Sequence, residues 1–328
     1  MKRREFMVLA SAAATWPIAT RAQRPGQMRR IGVLMNLAAD DPQSQAYNGA
    51  FLQGLQEFGW TVGRNILVES RYADGNADRI RNYAAELVVL APDVIVTSTS
   101  FTMQALQQAT RTIPIVFVQV VDPIGGGFAA SLARPGGNAT GLTVFEYGIS
   151  AKWLELLKDI APRITRVAVT RNPSSVAQVG MLGSIQSAAS SRGVELRPID
   201  VRDATEIERA IAAFARSGNG GLIVPSGQMS LARRELIVML AARERLPAVY
   251  GDRFYVTGGG LISYDPDRIE QYRRAAGYVD RILRGEKPAD LPVQAATKYD
   301  LTLNLRTARA LGLDVPPALL ARADRVIE

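Results

Sequence analysis

A chain of 328 residues, 47% of them hydrophobic, is long enough for about two domains with substantial cores. It contains neither histidine nor cysteine, which excludes disulfides, thiol nucleophiles, imidazole general bases and the usual zinc ligands together. The net charge of +8 does not point to nucleic acid: Lys2, Arg3, Arg4 and Arg21 against Glu5 put +3 in the first twenty-two residues, and the other +5 is scattered, with no basic run interleaved with aromatics.

Lys2-Arg3-Arg4 precedes Phe6 to Ile18, an apolar run shorter than a bilayer span. Thr20-Arg21-Ala22 then offers the small residues of a peptidase site. Residues 1–22 therefore read as an export signal cleaved after Ala22. The arginine pair followed by Glu5 and Phe6 is similar to a twin-arginine signal, with the general secretory route as the alternative. No later run is long and apolar enough to span a membrane, so the mature chain is expected in the periplasm.

From Arg30 the chain alternates strand and helix. Arg30 to Met35 is a short buried strand, and Asp41-Pro42 caps a helix whose apolar face is Tyr47, Ala50, Phe51, Leu55 and Phe58, ended by Gly59. Asn65 to Tyr72, Asp93 to Val96 and Ile113 to Val118 read as further strands, with helices around Ile80 to Val88 and Met103 to Leu106 between them. Ala139 to Phe145 is an extended run read as the first crossing into a second lobe. There the rhythm restarts: Lys152 to Leu157, Val179 to Arg192, Glu206 to Arg216 and Arg233 to Arg245 as helices, and Arg166 to Val169, Val194 to Ile199, Leu222 to Val224 and Ala248 to Tyr250 as strands. Gly258-Gly259-Gly260 is read as a second crossing, Tyr264 to Leu283 as a helix returning to the first lobe, and Gly285 to Pro292 as a third crossing. This predicts an α/β protein with two doubly wound parallel-sheet lobes on a three-crossing hinge. Residues 28–143 with 262–290 make the N-terminal lobe, and 144–261 with 291–328 the C-terminal lobe.

Gly125-Gly126-Gly127-Phe128-Ala129-Ala130 matches a dinucleotide fingerprint, with Glu146 about twenty residues on. Its context is wrong, because it follows the fourth strand of its unit and Glu146 lies beyond a crossing; a tight turn is the preferred reading, and no cofactor is expected. No phosphate-cradling loop ending in Lys-Ser/Thr is present. The hydroxyl runs Thr97 to Ser100 and Ser226-Gly227 follow buried strands, where they can cap the next helix, hold a carboxylate, or both. Trp60 and Trp153 read as packing residues.

Several long stretches carry a resemblance: Ala50 to Leu55, Pro114 to Phe117, Ser131 to Gly141, Lys152 to Leu157 and Ala289 to Gln294. Over nearly the whole mature chain the sequence resembles the substrate-binding proteins of ABC importers, of the tryptophan/tyrosine-type group. The resemblance implies a type I periplasmic-binding-protein fold, delivery of a small solute to a membrane permease and its ATPase subunits, and no catalysis. Two positions depart from the family's pattern. Asp265-Pro266 stands where a glycine often follows Ser-Tyr, and Ala296 where a proline is usual.

Ligand groups in such a fold come from loops at the carboxyl ends of strands, the face both lobes share. These loops present Asp40, Thr99, Ser100 and Asp122 in the first lobe and Asn172, Ser226 and Asp252 in the second, with Phe145 and Tyr147 at the crossing. Carboxylates could meet an ammonium, and hydroxyls or amides a carboxylate, so the set suits an amino acid or related carboxylate. Asp122 is the strongest single choice, with capping of the Gly125 turn as its structural alternative. A monomer working with a permease, no metal and no nucleic acid complete the expectation. The competing functions are a ligand-sensing regulator of the same fold, whose DNA-binding headpiece would have to sit where the export signal is, and an exported α/β enzyme.

Overall fold

The computed structural model describes residues 28–144, 147–173, 175–227, 230 and 233–328, without the side chains of 176 and 177. The export-signal segment and Phe145 lie outside the described residues.

The first half builds β1 (Arg29–Met35), α1 (Pro42–Glu57), β2 (Ile66–Tyr72), α2 (Ala77–Val89), β3 (Val94–Ser98), α3 (Thr99–Ala109), β4 (Ile115–Val120) and β5 (Ala139–Thr143). The inner strands carry apolar, largely β-branched runs buried on both faces, and Ile31, Leu34, Val94, Ile95 and Ile115 to Val118 are wholly buried. Asp41 accepts from the backbone N–H of Gln43 and Ser44 at 2.7 and 3.1 Å, which fixes the start of α1 behind Pro42. Gly59, at φ 86°, ends it.

The second half supplies α4 (Ile149–Ile160), β6 (Arg166–Arg171), α5 (Val176–Ser190), β7 (Glu195–Asp200), α6 (Ala204–Ala215), β8 (Gly220–Val224), α7 (Arg234–Arg243), β9 (Ala248–Tyr250), α8 (Arg253–Thr257) and β10 (Ile262–Pro266). The chain then returns through α9 (Arg268–Leu283), a 3-10 turn (Pro288–Asp290) and β11 (Gln294–Ala295), and ends with β12 (Tyr299–Asn304), α10 (Leu305–Ala310), α11 (Pro317–Leu320) and β13 (Arg325–Ile327).

The strands form two sheets, ordered β11-β5-β4-β3-β1-β2 and β13-β12-β10-β9-β8-β6-β7. The first five strands of each wind in the same order, so each sheet reverses direction beside its own first strand. The first sheet is parallel throughout; in the second, β12 runs antiparallel to β10. Each sheet has an apolar cluster on both faces. On the first these centre on Tyr47, Phe51, Leu55 and Val279, and on Leu87, Met103, Leu106 and Phe117. Trp153 lies in the second lobe's core, wholly buried, with its Nε1 donating to the Tyr264 carbonyl at 2.8 Å.

Two expectations need correction. Tyr264 is not helical: Ile262 to Pro266 is a strand paired with β9 and β12, and the helix begins only after Asp267 caps it. Hence 262–266 belongs to the second sheet, and the chain returns to the first lobe at Asp267 rather than at the triple glycine. Gln294 and Ala295 pair with Leu142 and Thr143 in the first sheet, so the third crossing follows Ala295 instead of the Gly285 to Pro292 loop. The Gly125 to Ala130 stretch forms the expected tight turns, with Gly126 and Phe128 N–H bonded to the carbonyls of Asp122 and Pro123 at 2.9 and 2.8 Å.

Candidate functional site

In the first lobe the loops after β1, β3 and β4 converge beside the point where the strand order reverses. Their backbone is strained. Thr99, Gln119 and Asp122 have φ of 67°, 60° and 47°, a region that a β-branched residue such as Thr99 rarely enters and that clusters at ligand sites. Gln119 is the extra residue where the β4 register with β5 shifts, and its Nε2 is buried without a partner. Ser98 Oγ accepts from the Asn36 N–H at 3.0 Å instead of capping α3, leaving that helix start without a side-chain cap. Ser100 Oγ accepts from the Val121 N–H at 3.3 Å and so ties α3 to the β4 loop. Asp122 Oδ1 accepts from the Gly125 N–H at 2.8 Å, and Oδ2 from the Tyr147 hydroxyl at 2.7 Å. Burial, then that hydrogen bond, pushes the Tyr147 phenol up to about 12, so it stays a donor. Asp40 is exposed on the β1–α1 loop.

In the second lobe Gln178, on α5, joins two of the expected residues. Its Oε1 accepts from the Asn172 N–H, and its Nε2 donates to the Ser226 carbonyl at 3.1 Å. Ser226 Oγ in turn donates to the Gly251 carbonyl. This lattice is close: a Cβ on Gly251 would stand 2.6 Å from the Ser226 nitrogen. The carboxyl ends of β6, β8 and β9 are thus one rigid surface. Gln178 has no signal in the sequence beyond being a polar residue in an apolar helix.

A buried charged group lies where β9, β10 and α9 meet. Asp252 caps α8 by accepting from the Phe254 N–H at 3.1 Å, and its Oδ2 pairs with Arg268 at 2.7 Å, side chains 4% and 13% exposed. Burial opposes the Arg268 charge, but Asp252, Tyr47 and Asp265 outweigh it and raise its pKa. Asp265 has no ion-pair partner within reach. Burial first, and then the Asp252 charge, push its carboxyl up to about 7 against the pull of Arg268 and Arg253. Tyr47 stacks on Tyr272 with ring centres 4.5 Å apart beside this group. Arg268 could have been noticed in the sequence, since a cation at the first position of a helix opposes the macrodipole and calls for an anion nearby.

The structure therefore brings Asp122 to Tyr147, Asn172 to Ser226 through Gln178, and Asp252 to Arg268, while Asp40 stands apart. A cavity of about 480 Å³ between Arg29, Asp93, Pro114, Arg284 and Lys287 lies at the amino ends of the first sheet's strands, away from the end where such sheets hold ligands. Among the described residues no group of three or more acidic side chains could hold a metal ion, and no helix is long and apolar enough to cross a membrane.

Two like-wound α/β lobes, with polar loops at the shared ends of their strands, define a solute-binding protein of the type I periplasmic-binding-protein fold. The chain belongs to the ABC transporter substrate binding protein family, whose model matches residues 30–327. It is a binding protein and not an enzyme. It is 24% identical over 287 residues to a tyrosine-binding protein of Clostridioides difficile, covering 88% of this chain and 82% of that one. A conserved domain protein from Vibrio cholerae superposes with a TM-score of 0.82 at 29% identity, and an ABC domain from Streptococcus pneumonia in complex with L-Trp with 0.82 at 22%; each covers 92% of this chain and 100% of the other.

Proposed function

We propose that the protein captures an amino acid or related carboxylate between its two lobes and delivers it to an ABC permease driven by ATPase subunits. The observation that carries this reading is that polar groups from both lobes meet at the carboxyl ends of their strands, in the Asp122–Tyr147 and Asp252–Arg268 pairs. A solute favouring the closed arrangement would draw the lobes together about the crossings after Thr143, Pro266 and Ala295. Relatives named for tyrosine and L-Trp support an amino acid as the solute class. Residues 1–22 act as the export signal, placing the mature chain, as a monomer, in the periplasm.

A thermal-shift screen of amino acids and carboxylates tests the solute class. At a hundred times its dissociation constant a true ligand stabilises by ~2.7 kcal/mol. A screen in which no amino acid or carboxylate shifts the melting temperature rejects it. Export is tested separately by changing Arg3 and Arg4 to Lys. Loss of export of the folded form is expected for a twin-arginine signal, whose receptor reads the pair itself.

A further inference from the structure

The group at the ends of β9 and β10 contains more unmet polar atoms than a purely structural ion pair needs. Asp265 is 3% exposed, yet its Oδ1 has no hydrogen-bond partner. Arg268 Nε and the Tyr255 hydroxyl, both beside Asp252, are also without partners. The charges do not balance either. Arg268 is taken by Asp252 at 2.7 Å, which leaves the Asp265 carboxylate without a counter-ion. The nearest other cation, Arg253, makes no ion pair with it and lies over the Phe254 ring at 5.6 Å. A buried carboxyl in this state takes up a proton unless a positive group completes its ionised form.

The position lies at the strand ends where open α/β sheets hold ligands. Asp265 lies at the carboxyl end of β10, next to Asp252 after β9, and Arg268 opens the helix that returns to the first lobe.

We propose that Asp265, supported by the Asp252–Arg268 pair, receives a positively charged amine of the solute and selects amine-bearing solutes over otherwise identical ones without it. This rests on the solute being held between the lobes. A bound ammonium donates to Oδ1, restores charge balance, and keeps the carboxyl ionised although burial favours its neutral form.

Calorimetry on the mature protein tests this with three probe sets: the proteinogenic L-amino acids, the amines formed from them by decarboxylation, and the acids lacking only the amine. The expected result is a binder among the amine-bearing probes whose des-amino counterpart binds at least about tenfold more weakly, with Asp265→Asn abolishing that preference. Asp280→Asn, a buried carboxylate on α9 bonded to Trp60 and Arg284, serves as the control and retains it. The proposal is overturned if des-amino acids bind as tightly, if no amine-bearing probe binds, or if folded Asp265→Asn keeps the preference. Amino-acid binding with a selectivity indifferent to Asp265 leaves the amino-acid reading standing and removes only this one. Binding of amines with no amino acid bound does the reverse.

Discussion

The Tyr147 hydroxyl donates to Asp122 Oδ2 at 2.7 Å, joining the start of the second lobe to the strained loop after β4. The ring is held from behind by Gly180, where a Cβ would stand 2.5 Å from Tyr147 Cε1. Glycine at 180 therefore lets the phenol lie back on α5 and reach the other lobe. Tyr147→Phe deletes the bond alone and is expected to weaken closure by ~0.5–1.5 kcal/mol. Gly180→Ala should do so by displacing the ring. In small-angle scattering both variants should be more open than the parent without solute; profiles superimposable on the parent's would show that the pair does not hold the lobes.

Arg268 and Asp252 should be strongly coupled in stability. Arg268→Met leaves a buried carboxylate unpaired and is expected to cost ~3–5 kcal/mol, whereas adding Asp252→Asn recovers much of the loss. Urea unfolding of the two single variants and the double variant measures this directly. Additive losses would mean that the pair contributes nothing as a pair.

Asp265 gives stability a particular pH dependence. Its carboxyl titrates near 7 in the folded protein, held up by burial and Asp252 and drawn down by Arg268 and Arg253, against about 3.9 in an unfolded chain. Between those values the folded state binds the extra proton, so this residue's contribution to stability falls as pH rises through the window and is flat above it. The stability of Asp265→Asn relative to the parent should therefore rise between about pH 4 and 7. A difference that stays constant across that range would contradict a raised carboxyl pKa.

Two glycines make opposite predictions. Gly141 in β5 has φ 149°, and a Cβ there would lie 2.0 Å from the Phe117 carbonyl oxygen. Gly141→Ala must part β4 from β5 and is expected to destabilise by more than ~4 kcal/mol. Gly49, exposed within α1, has nothing within 4 Å of such a Cβ, and Gly49→Ala should stabilise by ~0.5–1 kcal/mol. Melting temperatures of the two variants on either side of the parent's are the expected readout.

The alternation of strands and helices was legible because Ile31 to Met35, Val94 to Val96 and Ile115 to Val118 are unbroken apolar runs between amphipathic helices. The return to the first lobe was misplaced because Gly258-Gly259-Gly260 resembles a hinge, while the true signal, Pro266 before the capping Asp267, is quieter. Strand-end loops could be named as the candidate site from topology alone. Their pairings could not: Asp252 meets Arg268, and Asp122 meets Tyr147, only through the angle at which the crossings set one lobe against the other.

The packing of α9 on α1 bears on how the protein is made. Tyr47, Phe51 and Leu55 emerge early in synthesis, yet the residues that cover them, Tyr272, Ala276 and Val279, arrive near the end. Gly54 has even given up its side chain to let the Arg273 carbonyl approach, since a Cβ there would lie 2.6 Å from that oxygen. The second sheet likewise waits for β12 and β13. A ribosome partway along this message therefore carries an unfinished first half with an apolar face open to chaperones. Neither half can be completed in vectorial order, and the emergence of residues 268–327 decides when the two lobes become resistant to proteases.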